Sequence, residues 1–259
     1  MIKVLSGFTG PGGSTVAFNS LVNLFNANGM EACLYGNYKW EGINCRFELL
    51  DSLTVSKSDS LIFHFMVLPK IDCKHQILSC HETELFKIKE VKDLVYTNVH
   101  FVSQSQKEWQ NLEDPSKGVV IPNIVRPFKK AVKVSKIAGI IGSVDKNKRT
   151  HLSIKKALED NHTDIRLYGP ITNFPYYKEE VEPLLSDIVT YRGVSTDMGK
   201  TYSLLSHVYH SPLMETFNLI KPECESAGVT YIGEEGNDTK SEIWTNQQIL
   251  EAWKNLLSI

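Results

Sequence analysis

Two glutamates, Glu215 and Glu223, stand eight residues apart in the stretch of this sequence whose residue types most directly suggest chemistry. The preceding segment, His207–His210, is predicted to be a short buried strand, residues 216–218 a turn, and the residues after them the start of a helix. At ~1.5 Å of rise per residue, the second glutamate would lie about two helical turns from the first, too far away to share a proton with it. The spacing therefore predicts two hydrogen-bond acceptors that hold separate parts of one long ligand, rather than the acid–base pair of a hydrolase.

The predicted order of strand, turn and helix around Glu215 is one that binds anions. Parallel α/β units bind ligands at the carboxyl ends of their strands, where unpaired backbone N–H groups and the positive end of a helix dipole attract phosphate. Glu215 lies in the turn itself, beside this expected anion site. Because two glutamates at this spacing also occur by chance, the rest of the chain decides between a site and a coincidence.

A glycine-rich loop, residues 7–15, follows the first predicted strand, Ile2–Ser6. Apolar residues at helical spacing begin at Val16, so the segment is predicted to be strand, glycine loop and helix. Glycine lets the backbone approach a ligand closely, which makes the loop a candidate phosphate cradle. A tight turn without a ligand and a dinucleotide fingerprint are the alternatives. The spacing departs from G-x-G-x-x-G, however, and no dehydrogenase catalytic set follows it.

Two further loops at predicted strand ends carry polar side chains. His81 ends one predicted strand and therefore lies where ligands bind, whereas His64 lies within a strand and is expected to be a hydrogen-bonded core residue. Gly142 ends another predicted strand, and a basic turn at residues 143–149 follows it. A bound diphosphate would need cationic partners of this kind.

Four potential zinc ligands, Cys73, His75, Cys80 and His81, lie close together in the sequence. Their spacing matches no usual zinc pattern, and a strand would point Cys80 and His81 to opposite faces. The sequence therefore predicts no metal site. The five cysteines are scattered and odd in number, which indicates a reducing compartment.

The composition is that of a globular protein, with 259 residues, 42% hydrophobic and 22% charged. This length allows two modest domains. The formal net charge of −2 gives no overall field that would attract nucleic acid or an acidic membrane. No apolar run approaches the ~20 residues of a membrane span, and no signal-peptide pattern precedes the first strand. A cytoplasmic protein (of the host cytoplasm, if viral) without integral membrane contact is therefore expected.

Strands and helices alternate along the chain, which predicts an α/β fold. The predicted domains are residues 1–127 and 128–242, followed by a final amphipathic helix within residues 243–259. The boundary is marked by a basic run that we interpret as a solvated linker, with contact to nucleic-acid phosphates as the alternative. Its basic residues are Arg126, Lys129, Lys130, Lys133 and Lys136.

The stretch from Glu215 to Glu223 resembles the E-x7-E motif of the retaining glycosyltransferases of family 4. In that motif Glu-Gly-Phe-Gly-Leu is followed by three residues and a second Glu. Glu215, Phe217, Leu219 and Glu223 keep the pattern, whereas Thr216 and Asn218 stand in place of the two glycines.

Other segments resemble the same family in the same order along nearly the whole chain. Gly142 and Lys148 match a family pattern of Gly-Arg-Leu, three residues and Lys, with Ser143 in place of the Arg. Residues 121–123 resemble its Ile-Pro-Asn-Gly hinge, with Ile124 in place of the Gly. The resemblance implies the GT-B fold, an α/β architecture in which two Rossmann-like domains with parallel sheets face a central cleft. It also implies that the terminal helix packs back toward the first domain.

The resemblance assigns a role to each matching position. In the family the first glutamate and a histidine at the position of His81 contact the donor sugar, and the second glutamate holds the ribose hydroxyls. A Gly-Gly loop after the first strand, the amides between the glutamates and the basic side chains bind the donor phosphates. Here Lys146 or Arg149 is expected to compensate for the missing Arg, and for Lys146 a solvated turn is the favoured alternative. The implied catalytic residues are Glu215 and His81. The implied donor-binding residues are Gly12, Gly13, Gly142, Lys148, Arg149, Thr216, Phe217, Asn218, Leu219 and Glu223.

The implied activity is transfer of a sugar, with retention of its configuration, from a nucleoside diphosphate sugar to an acceptor hydroxyl. A UDP-sugar is the expected donor, and no metal or other cofactor is expected because Lys148 and backbone amides supply positive charge. The acceptor is a carbohydrate, a small molecule or, as for some phage enzymes of this fold, a hydroxymethylated DNA base. A non-catalytic protein that binds nucleotide sugars and a Rossmann-type NAD(P) oxidoreductase are the alternatives. The oligomeric state does not follow from the sequence.

Overall fold

The computed structural model describes residues 1–83, 96–110, 112, 114–130, 136–233 and 242–259. The chain divides into two compact units: unit 1 comprises Met1–Ile124 and Lys240–Ile259, and unit 2 comprises Val125–Thr239. The domain limits predicted at residues 127 and 242 stay predictions. Lys133, predicted to belong to the linker, lies outside the described residues.

The strands within the described residues are numbered in chain order. They are β1 Ile2–Ser6, β2 Ala32–Gly36, β3 Phe47–Leu49, β4 Ser60–His64, β5 His75–Cys80, β6 Asn98–Phe101, β7 Gly118–Val120, β8 Ala138–Ile141, β9 Ile165–Tyr168, β10 Val189–Tyr191, β11 His207–His210 and β12 Thr230–Gly233. The α-helices of the same part of the chain are α1 Gly13–Ala27, α2 Gln104–Gln110, α3 Thr150–Glu159, α4 Phe174–Tyr176, α5 Met198–Leu204, α6 Ile220–Ala227 and α7 Asn246–Leu257.

Unit 1 is built on a seven-stranded sheet in the order β3-β2-β1-β4-β5-β6-β7. Strand β1 pairs in parallel with both β2 and β4. Every residue of β1, β2 and β4 is buried, as expected for parallel strands that are covered on both faces. The continuous apolar runs in the sequence reflect this burial.

Successive residues of β1 enter different cores because side chains alternate across a strand. Val4 belongs to the cluster that contains Phe25 and Trp253, whereas its neighbour Leu5 belongs to the cluster that contains Phe63. Helices α1 and α7 cover the first of these faces, and the rings of Phe25 and Trp253 meet edge to face with their centroids 5.9 Å apart. The two chain ends of unit 1 thus share one core.

Unit 2 is built on a five-stranded sheet in the order β10-β9-β8-β11-β12, and all of its pairings are parallel. Its core lies on both faces of β8 and β11, where Ile140 and Tyr209 pack on one side and Val208 and Cys224 on the other. The α/β class with two parallel sheets, predicted from the sequence, is confirmed.

Candidate active site

The strand order of unit 2 reverses between β8 and β11, which are neighbours in the sheet. Strands β9 and β10 lie on one side of β8, and strand β12 lies on the opposite side, next to β11. Such a reversal opens a crevice at the carboxyl ends of the two strands, where open parallel sheets bind ligands. Residues 142–149 follow β8 and residues 211–219 follow β11, so these two loops hold most of the residues predicted to bind the donor.

Two glycines allow β8 and β9 to end close together. The N–H of Gly142 donates to the carbonyl of Tyr168 at 2.9 Å, and Gly142 and Gly169 have φ angles of +139° and +144°. A Cβ atom at Gly169 would lie 1.8 Å from the carbonyl oxygen of Gly142. Glycine at position 169 is therefore required for the path of the loop that begins at Gly142.

Asp145 fixes the loop after β8. Its carboxylate accepts hydrogen bonds from the hydroxyls of Ser143 and Thr172, and from the backbone N–H of Lys148 at 2.8 Å. Ser143 thus stabilises the loop that presents Lys148. No sequence pattern indicates this role for Asp145, which lies in a turn otherwise marked by its basic residues.

The loops after β8 and β11 are joined by hydrogen bonds into one layer. Arg149 donates from Nε to the carbonyl of Ser211 at 2.8 Å and from Nη2 to the carbonyl of Pro212 at 3.0 Å. The side-chain amide of Asn147 donates to the carbonyl of Met214 at 3.0 Å and accepts from its N–H at 3.2 Å. Arg149, predicted to bind the donor, therefore holds protein carbonyls in this structure.

Glu215 lies where the two loops meet. It is only 9% exposed, its carboxylate forms an ion pair with Lys148, and it lies 3.2 Å from Nε2 of His210. Burial would raise the pKa of Glu215, but the charge of Lys148 and the contact with His210 outweigh burial and hold that pKa below its ordinary value of 4.5. Glu215 is therefore a carboxylate at neutral pH and can accept hydrogen bonds from hydroxyl groups.

Glu223 lies in the first turn of α6 with partners of its own. Arg126 donates from Nε and Nη2 to Oε1 at 2.9 and 2.7 Å, and the hydroxyl of Tyr202 donates to Oε2 at 2.9 Å. Burial raises the pKa of Glu223, and the two partners offset only part of that rise. The two glutamates thus have separate partners, and the prediction that they do not act as an acid–base pair stays a prediction.

The interpretation of Arg126 as a residue of a solvated linker is wrong. Its guanidinium is paired with the buried carboxylate of Glu223. The Cζ atom of the guanidinium also lies over the ring of Phe128, 5.3 Å from the ring centroid. The contact between Arg126 and Glu223 spans 97 positions of the chain, so no spacing in the sequence points to it. Tyr202 was missed for the same reason.

The turn before α6 is held from within by Asn218. The side-chain oxygen of Asn218 accepts from the N–H groups of Ile220 and Lys221 at 3.0 and 3.2 Å, and its amide nitrogen donates to the hydroxyl of Tyr231 at 2.8 Å. Asn218 therefore caps the first amides of the helix. Thr216 and Phe217 are also buried, and Leu219 is half-buried. Because Asn218 occupies the first amides of the helix, an anion at this helix end would have to bind the amides of the turn instead.

Gly12 and Gly13 lie in unit 1, at the carboxyl end of β1. Gly12 precedes the first residue of α1, and its carbonyl accepts from the N–H of Val16 at 3.1 Å. A Cβ atom at Gly12 would lie 3.2 Å from the ring of Phe8, whereas one at Gly13 would meet no atom within 4 Å. The sheet of unit 1 reverses its order between β1 and β4, so this loop also lies at a position where parallel sheets bind ligands.

His81 follows β5 in unit 1 and lies in a cluster of rings. Its ring centroid is 4.7 Å from that of Phe18, 5.4 Å from that of His64 and 6.0 Å from that of His100. Burial, together with the two neighbouring histidines, holds the pKa of His81 well below 6.5. The imidazole is therefore neutral at physiological pH.

His64 is a buried residue with both ring nitrogens engaged. Nδ1 lies 3.1 Å from the hydroxyl oxygen of Ser6, and Nε2 lies 2.6 Å from the carboxylate of Glu82. These contacts agree with its interpretation as a satisfied core histidine. Among the described residues, no group of three or more His, Cys, Asp and Glu side chains is arranged to hold a metal ion. None of the described helices has both the length and the apolar composition needed to cross a lipid bilayer.

The two parallel sheets, each with a central reversal of strand order, define an architecture shared with GT-B glycosyltransferases. HepE from Anabaena, solved with UDP and glucose, has a TM-score of 0.66 at 13% identity, over 90% of this chain and 80% of its own. WaaG, a glycosyltransferase involved in lipopolysaccharide biosynthesis, has a TM-score of 0.62 at 13% identity, over 100% and 91%. A glycosyltransferase from Rickettsia africae has a TM-score of 0.63 at 12% identity, over 98% and 88%.

At these identities the similarity establishes the fold, and the GT-B fold predicted from the sequence is confirmed. No protein-family model matches the chain, and no curated protein matches it in sequence. Membership of family 4 and the roles of the individual site residues stay predictions.

Proposed function

We propose that this chain is a retaining glycosyltransferase that takes its sugar from a UDP-sugar. The observation that carries the proposal is the ion pair of Lys148 with the buried Glu215, held in the layer of loops at the strand reversal of unit 2. A nucleotide sugar presents an anionic diphosphate next to sugar hydroxyls. A lysine ammonium beside a carboxylate offers the two complementary groups at neighbouring positions. The structures of HepE contain UDP with glucose or UDP-glucose, which supports a uridine nucleotide as donor.

In the proposed complex, Glu215 accepts hydrogen bonds from hydroxyls of the donor sugar, and Lys148 contacts the diphosphate. Gly142 and the amides of residues 216–219 complete the anion site. Glu223 is proposed to accept a ribose hydroxyl. A carboxylate offers about four lone-pair positions, and Arg126 and Tyr202 occupy three of those on Glu223. One position on Oε2 is thus left for the ribose.

The proposed reaction breaks the bond between the anomeric carbon and the β-phosphate oxygen, whose electron pair leaves with UDP. The acceptor oxygen forms the new bond on the same face of the sugar, and its proton passes to the departing phosphate oxygen. Lys148 and the turn amides stabilise the negative charge that develops on UDP, a role in which preorganised donors are most effective. These groups supply positive charge without a metal ion, so we propose metal-independent transfer.

Unit 1 is proposed to contribute His81, Gly12 and Gly13. A neutral imidazole can donate from one nitrogen and accept at the other, so His81 suits a contact with a sugar hydroxyl. Gly12 and Gly13 are proposed to lie beneath the donor phosphates and the acceptor. The acceptor hydroxyl belongs to a carbohydrate, a small molecule or a hydroxymethylated DNA base. A steep fall of acceptor affinity with salt would identify the DNA base among these three.

The first test is a panel of ligands measured by thermal shift and calorimetry, with hydrolysis of each nucleotide sugar followed by release of free sugar. The panel contains UDP, UDP-glucose, UDP-N-acetylglucosamine, GDP-mannose and NAD⁺. We expect UDP and one UDP-sugar to raise the unfolding temperature by mass action, and that sugar to be hydrolysed slowly. Stabilisation by NAD⁺ alone, or by none of the five ligands, would contradict the proposal.

A second candidate function, binding of a nucleotide sugar without turnover, is favoured by one feature of the site. Asn218 already occupies the amides of Ile220 and Lys221, and Ser143 stands where the family arginine would contact the diphosphate. Both substitutions weaken stabilisation of a departing diphosphate without removing Glu215 or Lys148. Tight binding of a UDP-sugar with no detectable hydrolysis or transfer would identify this second function.

A further inference from the structure

His210 and Tyr231 connect the two parts of the proposed donor site. Nε2 of His210 lies 3.2 Å from Oε1 of Glu215, and Nδ1 lies 3.1 Å from the hydroxyl of Tyr231. The same hydroxyl accepts from the side-chain amide of Asn218 at 2.8 Å. A continuous path of contacts therefore leads from Lys148 through Glu215 and His210 to the turn at Asn218.

The chemistry of the end groups limits which atoms in this path carry hydrogens. The carboxylate of Glu215 only accepts, so its 3.2 Å contact with Nε2 of His210 is attractive only when that nitrogen carries a hydrogen. The two atoms lie at ion-pair distance without the alignment of a hydrogen bond. At the other end of the path, the tyrosine oxygen accepts from Asn218. The path therefore requires a hydrogen on Nε2 of His210.

We propose that His210 and Tyr231 are positioning residues. They fix the distance and orientation between Glu215 and the turn at Asn218, so that the donor sugar and its diphosphate are bound at the same time. This inference rests on the proposed function. The side chains of His210 and Glu215 are only 4% and 11% exposed, so their geometry is fixed by packing and by these contacts rather than by solvent. Asn218 replaces a glycine of the family motif, and Tyr231 gives its side chain a partner that a glycine would not use.

Two substitutions of His210 separate positioning from mere support of the fold. The amide of His210→Gln reaches the place of Nε2 and can keep the contact with Glu215, whereas the shorter amide of His210→Asn lies near the place of Nδ1 and cannot. His207→Asn is the matched control, because His207 lies on the same strand at its other end. Thermal unfolding of all three variants checks that each one folds.

We expect His210→Asn to lower turnover, and affinity for the UDP-sugar, roughly ten- to a hundredfold while affinity for UDP stays within about twofold, because UDP has no sugar for Glu215 to hold. His210→Gln should recover most of that loss. Tyr231→Phe should weaken both UDP and the UDP-sugar, since it releases the turn at Asn218. Equal losses in the Gln and Asn variants, or equal losses for UDP and the UDP-sugar in His210→Asn, would overturn the positioning role.

A measurement on the wild-type protein tests the network without any ligand or variant. Long-range ¹H–¹⁵N correlation of the imidazole of His210 near neutral pH should show a hydrogen on Nε2. A ring with its hydrogen on Nδ1 alone would overturn the network, whatever the protein binds. Failure of the wild type to bind any nucleotide sugar would instead overturn the proposed function and, with it, the positioning role.

Discussion

Arg126 donates twice to a single carboxylate oxygen of Glu223, from Nε at 2.9 Å and from Nη2 at 2.7 Å. The pair ties the first residues of unit 2 to the first turn of α6. The side chain of Glu223 is 3% exposed and that of Arg126 is 33% exposed. Without the arginine, a buried carboxylate would keep Tyr202 as its hydrogen-bond donor but would lose its counter-charge.

Arg126→Met should therefore lower the free energy of unfolding by about 2–4 kcal/mol, because it leaves a buried charge without its partner. Urea denaturation at pH 7 measures the difference. Lys129→Met is the matched control: Lys129 is an exposed residue of the same segment, and its substitution should change stability by less than about 0.5 kcal/mol. Equal effects of the two substitutions would show that the ion pair does not stabilise unit 2.

Glu215→Gln tests the proposed sugar contact with an almost isosteric change. Turnover of the UDP-sugar should fall by a factor of about 10²–10³, the range found when one preorganised group at a reacting centre is removed. Affinity for UDP should change little, because UDP lacks the sugar. Glu225→Gln, at an exposed position of α6, is the control for loss of a negative charge. Full turnover in Glu215→Gln would refute the assignment.

Gly169→Ala should be strongly destabilising, since its Cβ atom would lie 1.8 Å from the carbonyl oxygen of Gly142. Gly193→Ala provides the comparison, because Gly193 has a φ of +74° and no atom within 4 Å of the added carbon. Gly193→Ala should lower the free energy of unfolding by only about 1–2 kcal/mol, the penalty for a residue with a Cβ atom in the left-handed region. We expect a larger loss at Gly169, together with weaker UDP binding as the loop after Gly142 moves. Comparable unfolding free energies for both variants would contradict this account of the strand ends.

His100 should make stability depend on pH in a defined window. It lies 2.7 Å from the carbonyl of Ile121 through Nε2 and 2.8 Å from the hydroxyl of Ser79 through Nδ1, and burial lowers its pKa to about 4. The unfolded histidine binds a proton near pH 6.5, whereas the folded one does not until about pH 4. The contribution of the neutral, buried His100 to the free energy of unfolding is thus complete above pH 6.5 and is lost as the pH falls toward 4.

The size of this effect is about 3 kcal/mol over the full window. The free energy of unfolding is measured at several pH values between 7 and 4 for the wild type and for His100→Gln. The difference between the two curves gives the pH-dependent contribution of His100. That difference should shrink toward low pH. Parallel curves would mean that His100 takes up its proton in the folded protein as readily as in the unfolded chain.

Features that depend on local pattern could be predicted from the sequence. The run Ile2–Ser6, the glycine loop after it and the apolar spacing of α1 together specify strand, loop and helix, because each rests on neighbouring residues. Strand β3, Phe47–Leu49, was missed, since two half-buried residues followed by an exposed one carry no clear period. The last helix was expected to include Ile243 and Trp244, but it begins at Asn246.

The signal for that helix start was present in the sequence. Thr245 and Gln248 form a capping box in the structure, and the pattern of Thr followed three residues later by Gln is its sequence signature. Ile243 and Trp244 continue the apolar spacing of the helix but precede its N-cap, Thr245, so they lie outside it.

The partners of the two glutamates could not be predicted. Arg126, Tyr202 and His210 reach Glu223 or Glu215 through strand pairing and helix packing rather than through a motif. That Glu215 lies in the turn after a strand, and Glu223 in the helix that follows, could be predicted from the local pattern. The charges and hydrogen-bond donors around them depend on the tertiary structure.

The core shared by α1 and α7 affects the order in which the two units can fold during synthesis. Trp253 packs against Phe25, yet the ribosome completes all of residues 125–239 before it makes α7. Domains generally fold as units with the amino-terminal one first. Here the first unit to emerge must wait for the last helix to be translated, so the second unit can complete its core earlier. During that interval the apolar face of α1 lacks the cover that α7 provides in the folded protein.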